Sequence, residues 1–164
     1  MSALGQYYTN PDVAQQCLHE LFQVLNSPHD MLFLEPSAGE GSFTQPLTGA
    51  GYHVTGWDID PRHENIQRRD FLHPDTQAEL RHLCAHNTVI VVGNPPFGKR
   101  AATALQFVTQ ALGAGASAVA MILPAQFSKY GTQNKLPPGG GTHSLHTRHG
   151  VLPAHQYRQN QAIH

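Results

Sequence analysis

Apolar positions recur at helical spacing early in the chain, at Ala14, Cys17, Leu18, Leu21, Phe22 and Leu25. Asn10 is placed to cap that helix, Pro11 fits its first position and Asp12 suits the positive end of its dipole. Ser27-Pro28 ends it. A short apolar run at 31–34 then reads as a buried strand that opens into the turn Glu35-Pro36-Ser37-Ala38-Gly39-Glu40-Gly41. A helix is expected from about Ser42. Residues 53–59 read as a second strand ending in Asp58-Ile59-Asp60-Pro61, and 65–68 as a weak third leading to Asp70-Phe71-Leu72. Residues 74–86 suit a helix, and 88–92 form a strand that stops at Gly93-Asn94-Pro95-Pro96. Ala101, Leu105, Val108 and Leu112 share a helical face closed by Gly113 and Gly115, and 118–123 are a fifth strand stopped by Pro124.

Strands alternating with helices predict an α/β fold, a doubly wound and mostly parallel sheet with helices on both faces. Right-handed crossovers place all the strand-end turns on one edge, where such sheets bind ligands. The chain of 164 residues suits one domain, here over residues 1–136. Beyond Leu136 the composition turns to Gly, Pro, His and Gln, and residues 137–164 read as a disordered or divergent tail.

Composition narrows the classes. The net charge of −1, with 13% charged residues, gives no overall basic excess for gripping phosphates, although a local basic groove remains compatible with it. Cys17 and Cys84 lack metal-ligand spacing and read as buried, reduced thiols. No run resembles a signal peptide or a membrane span, so the cytoplasm is the expected compartment, with no membrane partner.

The chemistry sits at the strand ends. Glycine at 39 and 41 lets a ligand approach the backbone, and Glu35 offers a carboxylate to an ammonium or hydroxyl group. The turn lacks both the dinucleotide Gly-x-Gly-x-x-Gly spacing and the Lys-Ser/Thr of a phosphate loop, which favours a ligand without phosphates. Asp58, about 20 residues on, stands where an acid accepts from ribose hydroxyls, with Ile59 beside it for a flat base. Asp70 suits an exocyclic amine and Phe71 a ring face. The strongest signal is Asn94-Pro95-Pro96-Phe97. Two prolines fix the loop and remove two donors, leaving carbonyls and the Asn94 side-chain oxygen as acceptors. Two acceptors on one NH2 group orient it and make its lone pair more nucleophilic, while Phe97 is suited to stack on the ring that carries it.

These motifs resemble those of the S-adenosylmethionine (SAM)-dependent amino-methyltransferases, most closely the enzymes acting on adenine N6 in nucleic acids. The similarity lies in Gly5-Gln6-Tyr7-Tyr8-Thr9-Asn10-Pro11, in residues 35–43, in Asp58-Ile59-Asp60-Pro61, in Asp70-Phe71-Leu72 and in the 94–97 loop, in the gamma order, over residues 5–130. The resemblance implies a Rossmann-like class I methyltransferase fold with SAM as cofactor and no metal. It implies Tyr8 and Thr9 at the methionine end, and Glu35 at the amino group with Ala38, Gly39 and Gly41 beneath it. It further implies Asp58 on the ribose with Ile59 beside it, Asp70 and Phe71 at the adenine, Asn94 and Pro95 on the target amine, and Phe97 on the target base. The partner expected is nucleic acid, DNA ahead of RNA, with base flipping on a duplex.

Departures temper that picture. The family sheet has seven strands, and the sequence shows five, with the C-terminal hairpin missing or divergent because Pro and Gly interrupt each run after Leu136. A bare edge would call for self-association or a partner subunit. His143, His146 and His149 are spaced by three, but flanking glycines argue against a helix and a metal site there. Lys99, Arg100, Lys129 and Tyr130 are candidates for the substrate side. Two other readings stand beside the leading one: a protein glutamine amide methyltransferase, and a non-catalytic SAM-fold subunit or truncated remnant.

Overall fold

The computed structural model describes residues 9–96, 102–123, 140–145 and 154–159, the last two segments by their backbone. The elements are α1 (Pro11–Phe22), β1 (Leu32–Glu35), α2 (Thr44–Gly49), β2 (His53–Asp58), β3 (Ile66–Arg68), α3 (Pro74–His86), β4 (Val89–Gly93), α4 (Ala102–Gly113), β5 (Ala118–Ile122), β6 (Gly140–Leu145) and β7 (Ala154–Gln159). One 3-10 turn, Pro28–Asp30, joins α1 to β1.

The strands lie in the order β3-β2-β1-β4-β5-β7-β6. The first five run parallel, and β7 pairs antiparallel with both β5 and β6. The sheet therefore has seven strands where the sequence showed five, and two of them come from the segment that reads as a tail. The edge of β5, expected to be bare, is paired by β7 from Ala118 opposite Arg158 to Ile122 opposite Ala154. Periodicity misses this hairpin because Gly140 to Leu145 and Ala154 to Gln159 carry almost no apolar alternation. The ladder bonds of an antiparallel pair are made by the backbone, so the pairing need not show in strict side-chain alternation.

Two cores, one on each face, follow from strand alternation. On β4, Val89 and Val91 join α3 and α4 through Leu80, Ala104, Val108 and Leu112. Ile90 and Val92 join α1 and α2 through Ala14, Leu18, Leu21 and Leu47. β1 divides the same way, with Leu34 on the first face and Phe33 on the second. A strand buried on both sides needs the continuous apolar run that β4 has.

Local signals set the helix ends. The Asn10 side chain accepts the Asp12 amide hydrogen at 2.9 Å, with Pro11 at the first helical position. α2 begins at Thr44, two residues later than expected, because Phe43 supplies no side-chain cap and a carboxylate from β1 takes that role. α4 buries a wider stripe than the four residues read from the sequence. Ala104, Phe107 and Ala111 join Val108 and Leu112, Leu105 is only partly buried, and Ala101 lies outside the described residues. No helix among the described residues is long and apolar enough to cross a membrane.

Candidate functional site

Chain order reverses at β1: β2 and β3 lie to one side of it, β4 and β5 to the other. In open α/β sheets the crevice at such a switch point is the ligand site. A cavity of about 210 Å³ opens there, at the C-terminal ends of β1, β2 and β4. Its walls bring together Thr9, Glu35, Ala38, Gly39, Asp58, Ile59, Asp70, Phe71, Asn94 and Pro96, ten of the fourteen site residues read from the sequence. Gly41 and Pro95 are not in the walls. Tyr8 and Phe97 lie outside the described residues, as do Lys99, Arg100, Lys129, Tyr130, His146 and His149.

The glycine turn is tied down at both ends. The Ala38 amide donates to the Trp57 carbonyl at 2.8 Å, and the Gly39 carbonyl accepts from the Arg62 amide at 3.0 Å. Gly39 has φ +54°, and a Cβ built on it would meet nothing within 4 Å, so this stretch of wall is open backbone. Gly41, at φ +87°, serves the turn itself, since its Cβ would meet Gln45 Cγ at 3.1 Å.

Two buried acids organise the wall. Glu35, 2% exposed, accepts from both the Thr44 amide (2.7 Å) and the Thr44 hydroxyl (2.6 Å), so one oxygen caps α2. Burial pushes its pKa up from 4.5 to about 7, against the opposing pull of the Thr44 bonds. Glu35 lines the cavity yet is structurally committed, a heavier duty than the amino-group contact read from the sequence. Asp58, 3% exposed, accepts the Gly39 amide hydrogen at 2.7 Å through one oxygen and the Asp60 amide hydrogen at 2.7 Å through the other. Asp60 itself pairs with Arg62 at 3.0 Å on the surface.

Beyond Asp58, Ile59 stands 48% exposed, one of two large apolar side chains so exposed among the described residues. Asp70 accepts the Leu72 amide hydrogen at 3.0 Å. Phe71 touches the cavity but is 2% exposed, its ring packed on Phe107 of α4 at 4.8 Å. It therefore acts more as core behind the wall than as an open ring face.

Asn94 faces the opposite side. Its Nδ2 donates to Thr9 Oγ1 at 3.1 Å, and its backbone carbonyl accepts the Ser37 hydroxyl at 3.0 Å. Asn94 Oδ1 is shielded from solvent and has no hydrogen-bond partner among the described residues. Ser42 in turn donates to the Thr9 carbonyl at 3.2 Å. Neither Ser37 nor Thr44 stands out in the sequence, because each acts through a bond to a residue distant in the chain. Thr103 and Phe107 of α4 complete the cavity. Their only sequence signal is the helical stripe.

The thiols stand apart from these walls. Burial, with Glu20 nearby, pushes Cys17 up to about 11, and burial raises Cys84 as well. Neither supplies a thiolate at neutral pH.

No family model matches the sequence, and no curated protein matches it. Solved structures do match the fold. TrmN from Thermus thermophilus is 18% identical with a TM-score of 0.59, over 92% of this chain and 49% of that one. A protein from Listeria monocytogenes, assigned as a class I SAM-dependent methyltransferase, is 10% identical with a TM-score of 0.67, over 99% of this chain and 64% of that one. A release-factor-specific protein-(glutamine-N5) methyltransferase from Alicyclobacillus acidocaldarius is 14% identical with a TM-score of 0.59, over 93% and 94%. The chain thus spans about half the length of the Thermus protein. At these identities the likeness establishes the fold, the Rossmann-like class I methyltransferase fold.

Proposed function

We propose that this protein is a SAM-dependent methyltransferase that transfers a methyl group to an exocyclic amino group, with adenine N6 of DNA as the first-choice acceptor ahead of RNA. The observation that carries this reading is Asn94 Oδ1, a buried acceptor without a partner among the described residues, at a strand end in the cavity wall and followed by two prolines. An orphaned buried acceptor costs about 1–3 kcal/mol, and a donor that reached it, once the groups shielding it moved aside, would remove that cost.

The walls fit SAM. Asp58 offers carboxylate oxygens toward ribose hydroxyls, and each such oxygen accepts more than one hydrogen bond. Ile59 gives an exposed apolar face for a base, and the open backbone at Gly39 admits close approach. When bound, SAM supplies an electrophilic methyl group on sulfur. The chain's own part is positioning, because in-line transfer needs donor and acceptor atoms aligned at short range. Asn94 Oδ1 and a proline carbonyl of the loop would hold the two hydrogens of an amine and turn its lone pair outward. Asn94 in this reading is the catalytic residue, and Phe97 stacks on the target base.

A glutamine side-chain amide has the same NH2 chemistry, and the Alicyclobacillus neighbour matches over nearly its whole length. That reading stands second, since a phenyl ring at 97 suits a flat base better than an aliphatic amide. Labelled methyl offered from SAM to unmethylated duplex DNA, single-stranded DNA, RNA and cell-extract protein decides between them. Label on adenine establishes the first reading, and label on protein the second. SAM binding with no label on any acceptor leaves a non-catalytic subunit.

A further inference from the structure

We infer that Thr9 is a positioning residue that sets the orientation of the Asn94 amide, through the bond from Asn94 Nδ2 to Thr9 Oγ1. The inference rests on the functional reading above and goes beyond the cofactor contact that the sequence resemblance assigns to Thr9.

A side-chain amide has two faces of opposite character, a carbonyl oxygen that accepts and an NH2 that donates. Holding an amine requires the oxygen. Rotation of the amide by half a turn would present NH2 to NH2, two donors in contact. Something must break the symmetry, and in this structure it is Thr9 on one side only. Its hydroxyl oxygen takes an amide hydrogen at 3.1 Å, while Oδ1 on the other side has no described partner. The Asn94 backbone is held separately, by the Ser37 hydroxyl on its carbonyl at 3.0 Å. Thr9 is itself braced, since its carbonyl accepts from Ser42 at 3.2 Å. Ser37 lies within the glycine turn and Ser42 directly after it, and both line the cavity. The loop that would hold the acceptor amine is thereby bonded to the turn that would hold the cofactor, and the Thr9 bond fixes which end of the amide is left as an unpartnered acceptor.

Thr9→Val keeps the side-chain shape and removes the acceptor, while Thr9→Ser restores it. Three quantities are read on wild type, Thr9→Val and Thr9→Ser: hydrogen exchange of the Asn94 side-chain NH2 by NMR without cofactor, affinity for S-adenosylhomocysteine by calorimetry, and methyl-transfer kinetics on the acceptor that takes label; Asn94→Ala identifies the Asn94 NH2 resonances by their loss. The expected result for Thr9→Val is exchange at least tenfold faster, a Kd within about threefold of wild type, and kcat down by tenfold or more, with exchange and kcat both recovered in Thr9→Ser. Unchanged exchange, or a lost Kd with kcat intact, overturns the inference and leaves Thr9 as a cofactor ligand. Absence of transfer by wild type sinks the parent reading, and the catalytic role of Thr9 with it. An active wild type beside an equally active Thr9→Val sinks the positioning role alone.

Discussion

Asp58 accepts the Gly39 amide hydrogen at 2.7 Å, so the acid assigned to the ribose also holds the glycine turn in place. Asp58→Ala therefore has two consequences. It strands two backbone donors, the Gly39 and Asp60 amides, each at a cost of about 1–3 kcal/mol where no water replaces the bond. It also weakens SAM binding by a few kcal/mol at most, roughly the worth of charged hydrogen bonds. Chemical denaturation and calorimetry on the same protein separate the two, and unchanged affinity would remove Asp58 from the site.

Asn94→Ala is expected to abolish transfer while cofactor binding persists. Removing one well-placed hydrogen-bonding group from a catalytic site typically costs about a hundred- to a thousandfold in rate. Single-turnover rates and S-adenosylhomocysteine affinity check the split. Equal loss in both would place Asn94 on the cofactor instead of the amine.

Gly39 and Gly56 predict opposite behaviour. A Cβ at Gly56 would stand 2.9 Å from Thr44 Oγ1 and 3.2 Å from Ile66 Cγ1. Gly56→Ala thus disturbs the partner of Glu35 and should destabilise by about 1–3 kcal/mol, as overpacking does. Gly39→Ala meets no neighbour within 4 Å and carries only the left-handed backbone cost of about 1–2 kcal/mol. It adds a methyl group where a ligand would lie, so its loss of SAM affinity should exceed that of Gly56→Ala. Thermal unfolding with and without SAM measures both.

Glu35 gives stability a pH signature. Its folded pKa of about 7 lies above the ordinary 4.5, so the native state binds the extra proton between those values. Stability from this group is complete below about pH 4.5 and is lost as pH rises through about 7, a change of about 3 kcal/mol. Glu35→Gln should abolish that component. The wild-type minus variant difference in unfolding free energy should therefore fall across this window, and a flat difference would contradict the burial argument.

Local signals made much of this legible. Asn10 and Pro11 announce α1, and the apolar run of β4 shows a strand covered on both faces. Asp58 ends β2, Asn94 follows β4 and Asp70 lies two residues past β3, and parallel topology gathers such strand-end residues into one cavity wall. Thr44 was not readable, since its role is a bond to a carboxylate on a neighbouring strand. Gly41 and Pro95 share a motif with wall residues without being wall. β6 and β7 escaped because ladder bonds leave little trace in side-chain character.

The two bonds on Asn94 span 85 and 57 residues of chain. Closing such long loops is slow, and a parallel sheet allows no short cut through hairpins. The Ser37 bond waits for β4 to dock beside β1, and the Thr9 bond for α1 to settle over them. A refolding chain would regain its helical signal well before these long-range bonds, and a nascent chain would lack this cavity wall until β4 has left the ribosome. The Asn94 side of the cavity thus comes late in assembly, as a property of the docked sheet.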